Sequence, residues 1–163
     1  MHIRFITTGG TIDKVYFDSL SQFEIGESVV QHVLSEGLVE FEYDVVSLMQ
    51  KDSLEMDDED RQKLRDYIEN DDASHYIITH GTDTMAETAS VLSDLDGRTI
   101  VLTGALSPAR FKTTDAVFNV GMAVAAVQVA RPGVYIAMSG QVFDAGAVRK
   151  NRAENRFEST RKV

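Results

Sequence analysis

Short apolar runs alternate along this chain with stretches in which apolar residues recur every three or four positions. The runs at 2–7, 43–48, 75–79, 99–103 and 133–138 are too short for helices and predict strands. Between them, Ser28 precedes Val29, Val30, Val33 and Leu34, a helix start with one apolar face. Asp57, Asp58 and Glu59 place negative charge at the positive end of a second helix, whose inward stripe is Leu64, Tyr67 and Ile68. Thr84 with Glu87 three residues later predicts a capping box for a third helix, continued by Thr88, Val91, Leu92 and Leu95. A fourth helix, over about 113–130, is apolar on more than one face, through Val117, Val120, Met122, Val124, Val127 and Val129, and predicts complete burial or a subunit contact. The segment from Arg149 to Val163 carries alternating charges and is expected over the surface. Strands alternating with helices predict an α/β fold. The expected form is an open, mostly parallel sheet flanked by helices on both faces, a three-layer single domain of flavodoxin or Rossmann-like type.

Two of these strands end in glycine followed by threonine. The first reads Ile6-Thr7-Thr8-Gly9-Gly10-Thr11-Ile12-Asp13, where the glycine pair allows a sharp turn and close approach of a ligand to the backbone. The second, about seventy residues later, reads Ile77-Ile78-Thr79-His80-Gly81-Thr82-Asp83-Thr84-Met85. In an open α/β sheet ligands sit at the carboxyl ends of the strands, so Thr11 and Thr82 would converge on one pocket if their strands lie near each other. An ordinary strand-to-loop turn is the plain alternative for either string taken alone.

These strings resemble the bacterial-type L-asparaginase family, which carries TGGTI near its start and HGTDTM at its second site. The resemblance extends in family order through Lys51-Asp52-Ser53-Leu54-Glu55-Met56, Val101-Leu102-Thr103-Gly104-Ala105 and Phe143-Asp144-Ala145-Gly146-Ala147-Val148-Arg149-Lys150, covering residues 1 to about 150. It implies that Thr11 attacks a side-chain amide while Thr82, Asp83 and Lys150 form a proton-passing triad opposite. It also implies a tyrosine beside Thr11. Tyr16, five positions on, is the choice for that role as part of a lid loop, although alignment from Phe23-Glu24-Ile25-Gly26 puts Phe23 there instead. Charge complementarity with an amino acid suits Asp83 to the α-ammonium, and Ser53 with the amides around Gly10, Gly81 and Thr82 to substrate oxygens. Leu54 stands where longer relatives often hold a glutamine. With that anchor lost, KM is expected on the order of millimolar or above, each missing polar contact costing about 1–3 kcal/mol. Relatives usually carry a second domain, and this sequence stops where its linker would begin. A stand-alone catalytic domain over 1–163 is expected, a piece of a longer chain being the other reading.

Composition narrows the function further. A formal net charge of −10 disfavours nucleic-acid binding. The absence of cysteine removes disulfide and thiolate chemistry and is consistent with a reducing compartment. No secretory signal or membrane-length apolar run is evident, so a cytoplasmic protein without a membrane partner is expected. The glycines spell neither a P-loop nor a dinucleotide fingerprint, His80 lacks fellow ligands at metal spacing, and Asp57 to Asp60 lacks the rest of a calcium loop. No cofactor and no metal are expected, and His80 is expected to orient its loop by hydrogen bonding. The resulting expectation is hydrolysis of L-asparagine to L-aspartate and ammonia through a threonine acyl-enzyme, in a homodimer or homotetramer. The alternatives are a broader amidase or glutaminase, the amidase part of a transamidation system, and a non-catalytic amino-acid-binding module.

Overall fold

In the computed structural model, residues 1–17 and 22–161 are described. Six strands form the main sheet: β1 (His2–Gly9), β4 (Glu42–Lys51), β5 (His75–Thr79), β6 (Thr99–Thr103), β7 (Gly133–Met138) and β8 (Gln141–Asp144). A hairpin of β2 (Lys14–Phe17) and β3 (Gln22–Ile25) follows β1 directly, and β9 (Val148–Asn151) pairs with β10 (Arg156–Ser159) near the end of the chain. The helices are α1 (Val30–Glu36), α2 (Asp58–Asn70), α3 (Met85–Val91) and α4 (Ala116–Val129). The sheet runs in the order β4-β1-β5-β6-β7-β8, parallel except for the last pair.

Burial on both faces explains why the central strands are continuously apolar rather than alternating. All five residues of β6 are buried, as are the last four of β5, whereas edge strand β4 has no fully buried position. Side chains divide by parity between two cores. Ile6, Ile78, Ile100, Leu102 and Ile136 pack under α2 and α3, and Ile3, Phe5, Ile77, Val101 and Ala137 pack under α1 and α4. The expected three-layer α/β arrangement is therefore present. α4 buries one face, through Ala116, Asn119, Val120, Ala123, Ala126 and Val127, and leaves Val117, Phe118 and Val129 exposed. No helix among the described residues is long and apolar enough to cross a membrane.

One local expectation is corrected and another extended. Thr84 and Glu87 do not form a capping box: the Thr84 hydroxyl donates to the Ser53 carbonyl at 2.8 Å, and Glu87 pairs with Arg61 at 3.4 Å. A buried carbonyl across the cleft competes successfully for the hydroxyl. The reciprocal box lies instead at α2, where Asp57 accepts from the Asp60 amide and Asp60 from the Asp57 amide. The charged end of the chain lies largely over the surface, as expected, but has structure of its own. It forms the β9–β10 hairpin, which buries Phe157 in the core and turns Lys150 inward.

Candidate functional site

Strand order reverses at the boundary between β1 and β5. From β1 the chain goes outward to β4 and then returns to pair on the other side with β5, so the loops leaving β1 and β5 diverge and open a crevice. The register aligns Thr7 with Thr79, placing the two glycine-threonine turns side by side at the carboxyl edge. Their backbones touch. A Cβ added at Gly10, where φ is +88°, would overlap the backbone nitrogen and Cα of Gly81, and one added at Gly81 would come within 2.6 Å of Ser53 Cβ. Only glycine permits this stack of turns from β1, β5 and the loop after β4. The Gly10 amide donates to the Lys51 carbonyl at 3.0 Å, and the Thr8 hydroxyl to the Thr79 carbonyl at 2.9 Å, which closes the three turns on one another.

Thr82, Asp83 and Lys150 meet in the crevice. Lys150 Nζ donates to Thr82 Oγ1 at 2.7 Å and to Asp83 Oδ1 at 2.9 Å, with the lysine side chain only 10% exposed. These residues come from the turn after β5 and from β9, 67 and 68 positions apart. Thr11 opens a short 3-10 turn, Thr11–Asp13, immediately after Gly10. Ser53 is buried, and its Oγ has no hydrogen-bond partner among the described residues. Arg152 was not singled out from sequence. It stands with Nε 3.6 Å from Asp83 Oδ1, and the signal that would have found it is its spacing of two from Lys150.

Tyr16 sits on β2, directly opposite Phe23 on β3, with ring centroids 5.4 Å apart, and Phe23 in turn packs on Phe111 at 5.9 Å. Cross-strand partners share one face of a ribbon, so the two candidate positions for the family's tyrosine are neighbours on the same surface. Lys14, at the base of this hairpin, pairs with Asp52 at 3.0 Å and ties it to the Ser53 loop.

Two buried titratable groups brace the turns. His80 is fully buried; Nδ1 is 2.6 Å from the Gly81 carbonyl, which can only accept, so Nδ1 carries the proton and Nε2 accepts from the Thr88 hydroxyl at 2.9 Å. Burial lowers its pKa to about 4, with nearby Arg61 acting in the same direction against the Gly81 hydrogen bond, and keeps the ring neutral. This is the loop-orienting role expected of it. Asp13 accepts from the Val29 amide at 3.0 Å, yet burial raises its carboxyl to about 6 against the Val29 and Ser28 hydrogen bonds and the Arg110 charge. No cluster of three or more His, Cys, Asp or Glu in a ligating arrangement occurs among the described residues.

Two glycine-threonine turns and a Thr-Lys-Asp contact thus stand together at the switch point of a doubly wound sheet, the position at which α/β folds bind their ligands. The model of the asparaginase N-terminal domain matches residues 2–161, and the chain belongs to the asparaginase family. Among curated relatives, a glutamyl-tRNA(Gln) amidotransferase component of Methanococcus vannielii is 38% identical over 85 residues, 51% of this chain and 20% of that protein. A probable periplasmic L-asparaginase of Haemophilus influenzae is 41% identical over 81 residues, 46% of this chain and 23% of that one. The structure of L-asparaginase I from Vibrio cholerae superposes with a TM-score of 0.83 at 26% identity, covering 97% of this chain and 51% of the other. The chain thus spans about half the length of the solved relative it matches.

Proposed function

We propose that this domain hydrolyses the side-chain amide of L-asparagine, giving L-aspartate and ammonia through an acyl-enzyme on Thr11. The observation that carries this reading is the Lys150 amine held at once on the Thr82 hydroxyl and the Asp83 carboxylate, beside the turn that presents Thr11. Amide cleavage needs a nucleophile, a route for its proton, and donors for the oxyanion. In this reading Thr11 Oγ1 attacks the amide carbon, and its proton passes toward the leaving ammonia with the help of the Tyr16 phenol on the neighbouring hairpin. While Lys150 donates to Thr82, the Thr82 hydroxyl keeps its own proton for the substrate. If Lys150 gives up a proton that bond reverses, and Thr82 can in turn accept one from the water that releases the acyl group. The Gly10 amide is already given to the Lys51 carbonyl, so in this reading the α-carboxylate is held by the amides about Gly81 and Thr82, with the buried and otherwise unpartnered Ser53 hydroxyl beside them, and Asp83 faces the α-ammonium. The family habit of building sites at subunit contacts, with the exposed apolar face of α4, supports a homodimer or homotetramer.

Ammonia release from L-asparagine tests the assignment. Thr11→Ala is expected to abolish it, and Lys150→Met to lower kcat by about a hundredfold or more. Retention of full activity by Thr11→Ala would remove the proposal. The match to an amidotransferase component supports a second reading, an amidase that supplies ammonia within a transamidation complex. Higher kcat/KM for glutamine than for asparagine would favour it.

A further inference from the structure

The hairpin that carries Tyr16 turns one face toward the crevice. Lys14, Tyr16, Phe23 and Ile25 share that face, because residues two apart on a strand point the same way and Lys14 pairs with Ile25 as Tyr16 does with Phe23. At the base of the face, Lys14 reaches Asp52 beside Ser53 at 3.0 Å, and a Cβ added at Gly9 would come within 3.0 Å of Ile25 Cγ2. Farther out, Tyr16 and Phe23 are 53% and 49% exposed, so burial in the core does not fix them. A two-stranded ribbon is marginal in water by itself and needs packing to hold one position. Phe23 has such a contact outside the hairpin, the Phe111 ring, with centroids 5.9 Å apart.

Phe111 stands on a stiff support. The loop between β6 and α4 is closed by Asp115, whose carboxylate accepts the Leu106 and Ser107 amides at 2.9 and 3.0 Å and the Asn119 side-chain amide at 2.8 Å. Within it the Thr114 hydroxyl donates to the Ser107 carbonyl at 3.0 Å, and the Phe111 amide to the Pro108 carbonyl at 3.0 Å. The same loop grips the root of the hairpin, since the Ala109 amide donates to the Ile12 carbonyl at 3.0 Å and Arg110 to the Glu27 carbonyl at 3.3 Å. One fixed loop thus holds both the root of the hairpin and its outer half. We propose that Phe111 is a positioning residue for Tyr16: through Phe23 it holds the ribbon face so that the phenol stays beside the turn that presents Thr11. The inference rests on the role given to Tyr16 above and names the residue that keeps its phenol in place. Without the Phe111 ring, Tyr16 spends less time where it can relay the Thr11 proton. The groups that bind the substrate's carboxylate and ammonium belong to other elements and stay as they are, so kcat falls while KM does not.

The test compares wild type, Phe111→Ala, Phe111→Tyr, Tyr16→Phe and the double variant Tyr16→Phe with Phe111→Ala, by ammonia release from L-asparagine. Phe111→Ala is expected to lower kcat about two- to tenfold, the share one aromatic pair contributes, with KM within about twofold of wild type. Phe111→Tyr keeps the ring and should hold kcat within about twofold. In the Tyr16→Phe background the phenol is already gone, so adding Phe111→Ala should change kcat by less than about twofold. Hydrogen exchange, which needs no turnover, should quicken at least about threefold over residues 14–17 and 22–25 in Phe111→Ala and stay unchanged in β5 and β6. If the wild type releases no ammonia, the hydrolase reading falls; quickened exchange then still supports the bracing of the hairpin by Phe111, and unchanged exchange overturns it. Full activity of Tyr16→Phe, or an equal loss of kcat from Phe111→Ala in both backgrounds, overturns the inference as well.

Discussion

At the residue scale the site depends on what is missing from Gly10 and Gly81 as much as on what Thr11 and Thr82 carry. Alanine at Gly10 would need φ near +88° and would collide with the Gly81 backbone; alanine at Gly81 would strike the Ser53 side chain. Each substitution is expected to cost about 1–3 kcal/mol, read as a lower urea midpoint. The buried titrating residues give a second prediction, because Asp13 and His80 oppose each other. Asp13 binds its proton more tightly when folded, so between about pH 4 and 6 stability falls as pH rises, by about 3 kcal/mol in all. His80 binds its proton less tightly when folded, so stability falls as pH drops from about 6.5 to 4, by a similar amount of about 3 kcal/mol. In the wild type the two slopes largely cancel over pH 4–6. Asp13→Asn keeps an acceptor for the Val29 amide and removes one slope. Its urea midpoint should exceed wild type at pH 7 and fall steeply from pH 6.5 to 4; a profile parallel to wild type would count against this account.

At the scale of elements, the corrected caps can be told apart by substitution. Asp57→Ala should cost about 1 kcal/mol by opening the reciprocal box at α2. Thr84→Val should cost about 1–3 kcal/mol, since it strands the buried Ser53 carbonyl rather than a helix amide. Thermal unfolding of both variants checks the pair. The strands were legible because each is a short apolar run whose burial on two faces demands it, and observed β5, β6 and β7 coincide with the expected segments 75–79, 99–103 and 133–138. The two hairpins were not. β2–β3 is partly exposed and lies off the main sheet, and β9–β10 is made largely of charged residues whose strand conformation comes from pairing with each other and from one buried anchor, Phe157.

At the scale of the whole molecule, α4 separates two expectations that its sequence had left joined. One face is buried, but Val117, Phe118 and Val129 are exposed, so complete burial does not account for its apolar character within this chain. If the exposed face joins protomers, Phe118→Glu should shift the protein toward monomer in size-exclusion light scattering while leaving the circular dichroism spectrum unchanged. A species that is already monomeric without the substitution would contradict the proposed assembly.

Local sequence determined the layers, because apolar period and glycine-threonine punctuation are properties of neighbouring residues. It also placed two hydroxyls at strand tips and a lysine in a motif resembling the family's. Tertiary structure alone decided that these tips adjoin, since adjacency follows from strand order, and that Lys150 reaches Thr82 and Asp83 from 67 or 68 positions away. It decided as well that Thr84 serves a carbonyl across the cleft and that Arg152 shares a carboxylate with Lys150. Hydrogen bonds and ion pairs act over a few ångströms, and which side chains come that close is set by the packing of distant segments rather than by their local pattern.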